Sequence, residues 1–112
     1  MKIAVASDNG RVASQLSRCG EFQLFYTDGH RILREETLVN PGIAPGFLPN
    51  YLSGLDVHLV IAGSVRYSSV KLLEAGSVSV VTGIQGDTRD AALRFLDGQL
   101  AADPTGRRKV SG

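Results

Sequence analysis

The second half of the chain, residues 57–98, most restricts the fold, because a strand, a glycine-containing turn and a helix occur there twice in succession. The apolar run 58–61 leads into Ala62-Gly63-Ser64, and the run 77–81 leads into the glycine-rich turn 82–87. Strands joined through a helix are normally parallel, so both turns are expected at one edge of a single sheet. Ligands bind at that edge in open α/β sheets. The pattern therefore predicts a chain built to hold a small ligand at these turns.

The first half of the chain adds three strands to this sheet. Residues 2–6 predict a buried central strand whose following turn, 7–10, reaches the same edge. The predicted strands 22–26 and 31–38 flank Asp28-Gly29, a sequence that favours a hairpin turn. Residues 11–18 are compatible with either a short helix or a loop. We therefore expect an α/β fold with three layers: a five-stranded mixed sheet, its second strand antiparallel, and helices on both faces. This order resembles a ribonuclease-H-like topology.

Composition limits the class of protein. The 112 residues suit one domain, expected over 1–102, followed by a mobile tail over 103–112. A net charge of +1 gives no general attraction to nucleic acid or to membrane surfaces. No apolar run approaches the length of a membrane span, and the start of the chain shows no signal-peptide pattern. A single cysteine excludes an internal disulfide framework, so a cytoplasmic location is expected.

The single cysteine, Cys19, is the candidate metal ligand. Arg11 and Arg18 are close to it in sequence, and a neighbouring cation lowers a thiol pKa and favours the metal-binding thiolate. The alternative is a small buried apolar residue, as free cysteines usually are. One cysteine cannot close a four-ligand site, so a metal would be held as a preformed cluster or shared with a partner.

The turn 63–69 follows a strand and opens a helix, which is where backbone N–H groups favour anions. Ser64 and Arg66 would add donors, but the turn is neither a P-loop nor a dinucleotide-binding fingerprint. The glycines of these turns are explained equally well by the need to form tight turns, without any bound anion. Hydrolytic chemistry finds less support, because no nucleophile elbow is present. The carboxylates of Asp8, Asp56 and Asp87 are too dispersed for a nuclease metal site.

Short motifs occur in a fixed order over most of the chain, although no single one is specific. They are Met-Lys-Ile-Ala-Val-Ala-Ser at the start, Cys-Gly-Glu-Phe at 19–22, Asn-Pro at 40–41, Pro-Gly-Phe-Leu-Pro at 45–49, Val-Ile-Ala-Gly at 60–63, Leu-Glu-Ala-Gly at 73–76 and Gly-Ile-Gln-Gly-Asp at 83–87. This ordered set resembles the dinitrogenase iron–molybdenum cofactor biosynthesis family, which includes NifX-type proteins, the C-terminal domain of NifB-type proteins and the orange proteins. Gln15-Leu16-Ser17 stands where members often have His-Phe-Gly.

The resemblance implies a ribonuclease-H-like fold and non-covalent binding of a molybdenum- or iron-containing sulfide cluster. The cluster would be iron–molybdenum cofactor or a molybdenum–copper sulfide. A third alternative is that the protein contains no cluster when it is purified. We expect a non-enzymatic carrier or storage protein, monomeric or weakly dimeric, that exchanges cargo with cluster donor or acceptor proteins. A ligand-free interaction module acting through the strand 31–38 is the alternative, and a degenerate nuclease ranks below it. The expected binding residues are Ser7, Asn9, Arg18, Cys19, Ser64, Arg66, Thr82 and Gln85, with Cys19 as the metal ligand.

Overall fold

The computed structural model describes residues 1–42 and 45–100. The expected tail, 103–112, lies outside the described residues. Within these residues, three α-helices and two short 3-10 helices, Leu16–Arg18 and Pro45–Phe47, accompany the strands. The α-helices are α1 (Leu48–Gly54), α2 (Tyr67–Ala75) and α3 (Thr88–Leu96). The strands are β1 (Lys2–Asp8), β2 (Arg11–Val12), β3 (Glu21–Asp28), β4 (Arg31–Val39), β5 (Leu59–Ile61) and β6 (Ser79–Val81).

The strands form one mixed sheet in the order β4-β3-β1-β5-β6. β3 is antiparallel to both β1 and β4, whereas β1, β5 and β6 are parallel. The expected directions are therefore correct. The expected count of five strands is wrong, because β2 is a sixth, two-residue strand that pairs with β1 outside this order.

The strand β2 arises from the turn Asn9-Gly10. Both residues have positive φ values, 54° and 83°, which a two-residue type I′ hairpin requires and which Asn-Gly favours. The pairing of Asp8 with Arg11 closes this hairpin. The sequence interpretation of 11–18 as a helix or loop missed the strand, although the Asn-Gly signal was present.

Alternation along β1 divides the core into two apolar clusters. Ala4 and Ala6 face one cluster, to which α1 and α2 contribute Leu52 and Leu73. Ile3 and Val5 face the other cluster, which contains the Ala91-Ala92 pair of α3. Successive strand residues point to opposite faces, so a nearly continuous apolar run such as this one identifies a strand covered on both sides. The expected helices on both faces are confirmed.

The start of α3 is fixed by a side-chain cap. Asp87 has extended backbone angles, and its carboxylate accepts a hydrogen bond from the Asp90 N–H at 2.9 Å. This is the N-cap arrangement expected from the sequence. Within the described part of the chain, no helix is long and apolar enough to cross a membrane.

Candidate functional site

The segment 11–16 crosses the carboxyl ends of the parallel strands. Its backbone is hydrogen-bonded to β1 and to the turn after β5: Ala13 N–H donates to Ala6 O at 2.7 Å, and Gly63 N–H donates to Ala13 O at 2.8 Å. On the β6 side, Val12 N–H donates to Gly86 O at 2.7 Å. The chain itself therefore covers the edge of the sheet that the sequence predicts as an open ligand rim.

Gly63 is in direct contact with this covering segment. A Cβ added at Gly63 would lie 2.8 Å from both Cα and O of Ser14, so a side chain does not fit there. The Gly63 carbonyl in turn accepts the N–H of Gly83 at 2.8 Å. The N–H groups of both turn glycines are thus bonded to the chain itself. These two N–H groups are therefore not available to an anion, so any backbone donors in the turn 63–69 must come from its residues nearer the helix start.

An open cleft remains beside the covering segment, with a volume of about 300 Å³. One wall is the start of the first 3-10 helix, and the other wall is the turn between β5 and α2. The cleft lies at the small end of the range of ligand pockets. Arg66 is the single charged residue among its lining residues, which are Gln15, Leu16, Ser17, Ser64, Val65 and Arg66.

The cleft adjoins the start of α2. Arg66 occupies the N-cap position, and its side chain does not cap the helix. The first N–H groups of a helix have no intrahelical acceptor, and their partial positive charge favours an anion. The arginine side chain is exposed and adds a permanent positive charge with several donors. This end of the cleft can therefore bind a small anion.

Ser64 forms hydrogen bonds within the protein, whereas the sequence predicts it as a ligand-binding donor. Its Oγ donates to the Ser14 carbonyl oxygen at 2.8 Å, and its own carbonyl accepts the Leu16 N–H at 3.0 Å. The hydroxyl proton is therefore engaged in holding the two walls together. Ser64 lines the cleft but is not a free hydrogen-bond donor for a ligand.

Cys19 lies in the core rather than in the cleft, with 3% of its surface exposed. Asn40 holds this residue, because its Nδ2 donates to the Cys19 carbonyl at 2.9 Å and lies 3.7 Å from Sγ. Burial raises the pKa of the thiol, and the nearby Asp8 carboxylate adds to this, outweighing hydrogen bonds from Asn40 and from the Ser7 backbone. The lowered pKa expected from the neighbouring arginines is wrong. The neutral thiol is favoured at neutral pH.

Ser7 is fully buried beside Cys19. Its Oγ donates to Glu21 Oε2 at 3.2 Å and accepts the Gly10 N–H at 3.2 Å. The hydroxyl thus joins the end of β1 to β3 and to the hairpin turn. These contacts satisfy it within the protein, where the sequence interpretation expected a ligand donor.

The other predicted residues are distributed around the same end of the sheet. Asn9 and Arg18 are exposed, in the β1–β2 turn and at the end of the first 3-10 helix. Thr82 is 7% exposed at the end of β6, and Gln85 is exposed in the turn before α3. Of the eight predicted residues, the cleft brings together only Ser64 and Arg66.

Sequence reasoning missed four of the lining residues. Gln15 and Leu16 belong to the covering segment, Ser17 directly follows it, and Val65 lies between two predicted positions. Their place in the cleft depends on the hydrogen bonds from the segment to the turn after β5, which no local pattern encodes. One signal was available: the segment 15–17 occupies the place of the His-Phe-Gly motif that the family resemblance identifies.

The described residues contain no group of three or more histidine, cysteine, aspartate or glutamate side chains arranged to hold a metal ion. His58 lies at the opposite end of the sheet, where its Nδ1 accepts the Lys2 N–H at 3.0 Å. A metal in this part of the chain would therefore arrive with most of its ligands already bound.

The fold and the cleft together define a small single-sheet α/β protein with an anion-favouring cleft at the carboxyl edge of its parallel strands. The sequence matches the family described as dinitrogenase iron-molybdenum cofactor over residues 1–98. Because the match spans most of the chain, the protein belongs to this family. No curated protein matches the sequence.

Solved structures show the same fold. The apo form of the orange protein from Desulfovibrio gigas superposes with a TM-score of 0.83 at 21% identity, covering 96% of each chain. The protein PH0822 gives a TM-score of 0.83 at 23% identity, covering 92% of this chain and 95% of the other. A Thermotoga protein described as a NifB protein of the DUF35 family gives 0.74 at 22% identity, covering 96% and 97%. At these identities the likeness establishes the fold alone.

Proposed function

We propose that this protein binds, stores or delivers a molybdenum- or iron-containing sulfide cluster and catalyses no reaction. The family match supports a role connected with this class of cofactor. The observation that carries the proposal is the cleft at the start of α2, in which the uncapped helix end and Arg66 are the recognisable binding groups. Thiometallates are anions, so these groups suit them. The cargo is either iron–molybdenum cofactor or a molybdenum–copper sulfide.

Binding at this cleft would be non-covalent. The cleft lining contains no thiol, imidazole or carboxylate, so the cargo would keep its own sulfide ligands. Hydrogen bonds would come from Gln15 and Ser17, and charge neutralisation from Arg66. Such a site releases its cargo without breaking a metal–protein bond, which suits transfer between donor and acceptor proteins.

The role of Cys19 as a metal ligand stays a prediction. Its burial and raised pKa argue for a neutral thiol in the core. Cys19→Ser tests this directly: full cargo loading by the variant would exclude coordination by the thiolate. Ser7, Asn9, Arg18, Thr82 and Gln85 also stay predicted binding residues, and single alanine variants of each would test them.

The experiment is titration of the protein, purified without oxygen, with tetrathiomolybdate and copper and separately with isolated iron–molybdenum cofactor. Charge-transfer bands together with stoichiometric metal by elemental analysis are expected with one of the two, and their metal ratio identifies the cargo. Arg66→Ala should weaken binding about tenfold, the effect of losing one charge-assisted hydrogen bond. Lys71→Ala is the matched control, because it removes the same charge from α2 at a residue outside the cleft lining. A colourless, metal-free protein after both titrations would refute the proposal.

The sheet also supports the ribonuclease-H-like relationship, because β1 is central and β3 is antiparallel to it, as the sequence predicts for the first and second strands of such a sheet. A nuclease is not favoured, since the described residues hold no carboxylate cluster of three or more. The interaction alternative has a specific observation in its favour: β4 lies at an edge of the sheet, and its Leu33 and Val39 are 62% and 73% exposed.

A further inference from the structure

The outer edge of β4 is open in the part of the chain that the structure describes, where β4 pairs with β3 alone. The direction of its free backbone groups follows from one hydrogen bond: Asn40 N–H donates to Gly20 O at 3.1 Å. Antiparallel ladders alternate between bonded and non-bonded pairs. Val39, Thr37 and Glu35 therefore direct their N–H and C=O groups away from β3, toward the open edge. This alternation applies to residues 34–39, because the β3–β4 register shifts between Tyr26 and Thr27, which pair with Arg34 and Ile32.

The charges along this edge are divided between its two halves. Arg31 and Arg34 lie in the first half, and Glu35 and Glu36 follow in the second. A strand that is basic at one end and acidic at the other complements a second copy of itself in the antiparallel direction. We propose that β4 pairs with β4 of a second copy of this chain, joining the two sheets edge to edge across a two-fold axis.

The charges select one register for this pairing. Because outward-facing residues must bond to outward-facing residues, the permitted registers differ by two residues. Centring the two-fold axis on Glu35 places Arg34 of each copy opposite Glu36 of the other. The next permitted register on one side places Arg34 opposite Arg34, and the next on the other side places Glu36 opposite Glu36. Like charges directly opposite are destabilising. The centred register also places Glu35 opposite Glu35, but of these three registers it alone forms two opposite-charge pairs, so it is favoured over its two neighbours.

Contacts within each chain prepare the edge for this register. The Arg34 guanidinium lies 4.1 Å from the centre of the Tyr26 ring, and the Tyr26 hydroxyl donates to Glu36 Oε1 at 2.9 Å. Tyr26 thus contacts the side chains of both Arg34 and Glu36, so these side chains lose little conformational entropy when the strands pair. Glu35 would meet its own copy at the axis, but the ion pair that it forms with Arg89 offsets that repulsion. Pairing would also cover part of the exposed Leu33 side chain.

The test is sedimentation equilibrium of the whole chain over a concentration series, with charge-reversal variants. The unmodified protein is expected to show a reversible monomer–dimer equilibrium. Arg34→Glu alone and Glu36→Arg alone should each weaken dimerisation at least about tenfold, because both cross-strand ion pairs become repulsive. The double variant Arg34→Glu/Glu36→Arg should dimerise like the unmodified protein.

An equimolar mixture of the two single variants provides the sharpest readout. In a mixed dimer, one chain carries glutamate at both positions and the other carries arginine at both, so each pair is again attractive. The mixture should therefore dimerise more tightly than either variant does alone. Lys71→Glu is the matched control for net charge and should leave dimerisation unchanged. A protein that is monomeric throughout, or a dimer that ignores these reversals, would overturn the proposal. Because no cleft residue is altered, either result is independent of cluster binding.

Discussion

The carbonyl oxygen of Ser14 lies 2.8 Å from the position that a Cβ on Gly63 would occupy. This contact seats the covering segment on the end of β5, and the Gly63 N–H bond to Ala13 O lies beside it. Gly63 does not have a positive φ, so its requirement for glycine is one of space rather than of backbone conformation. One wall of the cleft is therefore positioned by the absence of a side chain.

Gly63→Ala is expected to lower the free energy of unfolding by about 1–3 kcal/mol, because backbone atoms of Ser14 must move to admit the methyl group. Urea unfolding followed by circular dichroism measures this. Gly54→Ala is the matched control: Gly54 lies in α1, and nothing lies within 4 Å of an added Cβ. The control should be neutral or stabilising. Equal losses in both variants would contradict the steric account.

The Cys19 thiol should make stability depend on pH in the alkaline range. Its pKa is raised in the folded protein, so the unfolded chain loses this proton first, near its ordinary value of about 8.5. The stabilisation is complete below that pH and is lost as pH rises toward the folded pKa. We expect the stability advantage of the unmodified protein over Cys19→Ala to shrink above about pH 8.5. Unfolding titrations of both proteins at several pH values measure this, and an advantage that grows with pH would refute it.

Asp87→Ala should destabilise the protein by about 1 kcal/mol, the usual effect of losing an N-cap. The bond from the Asp90 N–H is lost, together with a negative charge at the positive end of α3. Asp97→Ala is the control at the other end of the same helix, where Asp97 is the exposed C-cap residue. Removing a negative charge there should be neutral or slightly stabilising. Thermal unfolding compares the two, and a larger loss for Asp97→Ala would contradict the capping account.

Local signals in the sequence were sufficient for most of the architecture. The two strand–glycine–helix units predicted β5, α2, β6 and α3, and Asp87 predicted where α3 begins. These features depend on neighbours in sequence: apolar runs, a capping side chain and turn residues. The family resemblance was likewise carried by ordered local motifs, and the match over 1–98 confirms it.

The site was less predictable, because its groups are set by contacts between distant parts of the chain. Cys19 has two arginines near it in sequence, yet its burial decides its pKa. Ser7 and Ser64 are polar residues at the expected edge, but Glu21 and Ser14 engage their hydroxyls. A sequence shows which donors are present at an edge. It does not show which of them the folded chain has already used.

The bond between Ser64 Oγ and the Ser14 carbonyl joins residues separated by fifty positions. Such a non-local contact forms only after the loop between its ends has closed, so the cleft does not exist in a partly folded chain. Cargo that binds there would recognise only the completed fold and would raise its thermal midpoint by mass action. A rise in melting temperature with added thiometallate would therefore report binding to the folded chain without any spectroscopic signal from the metal.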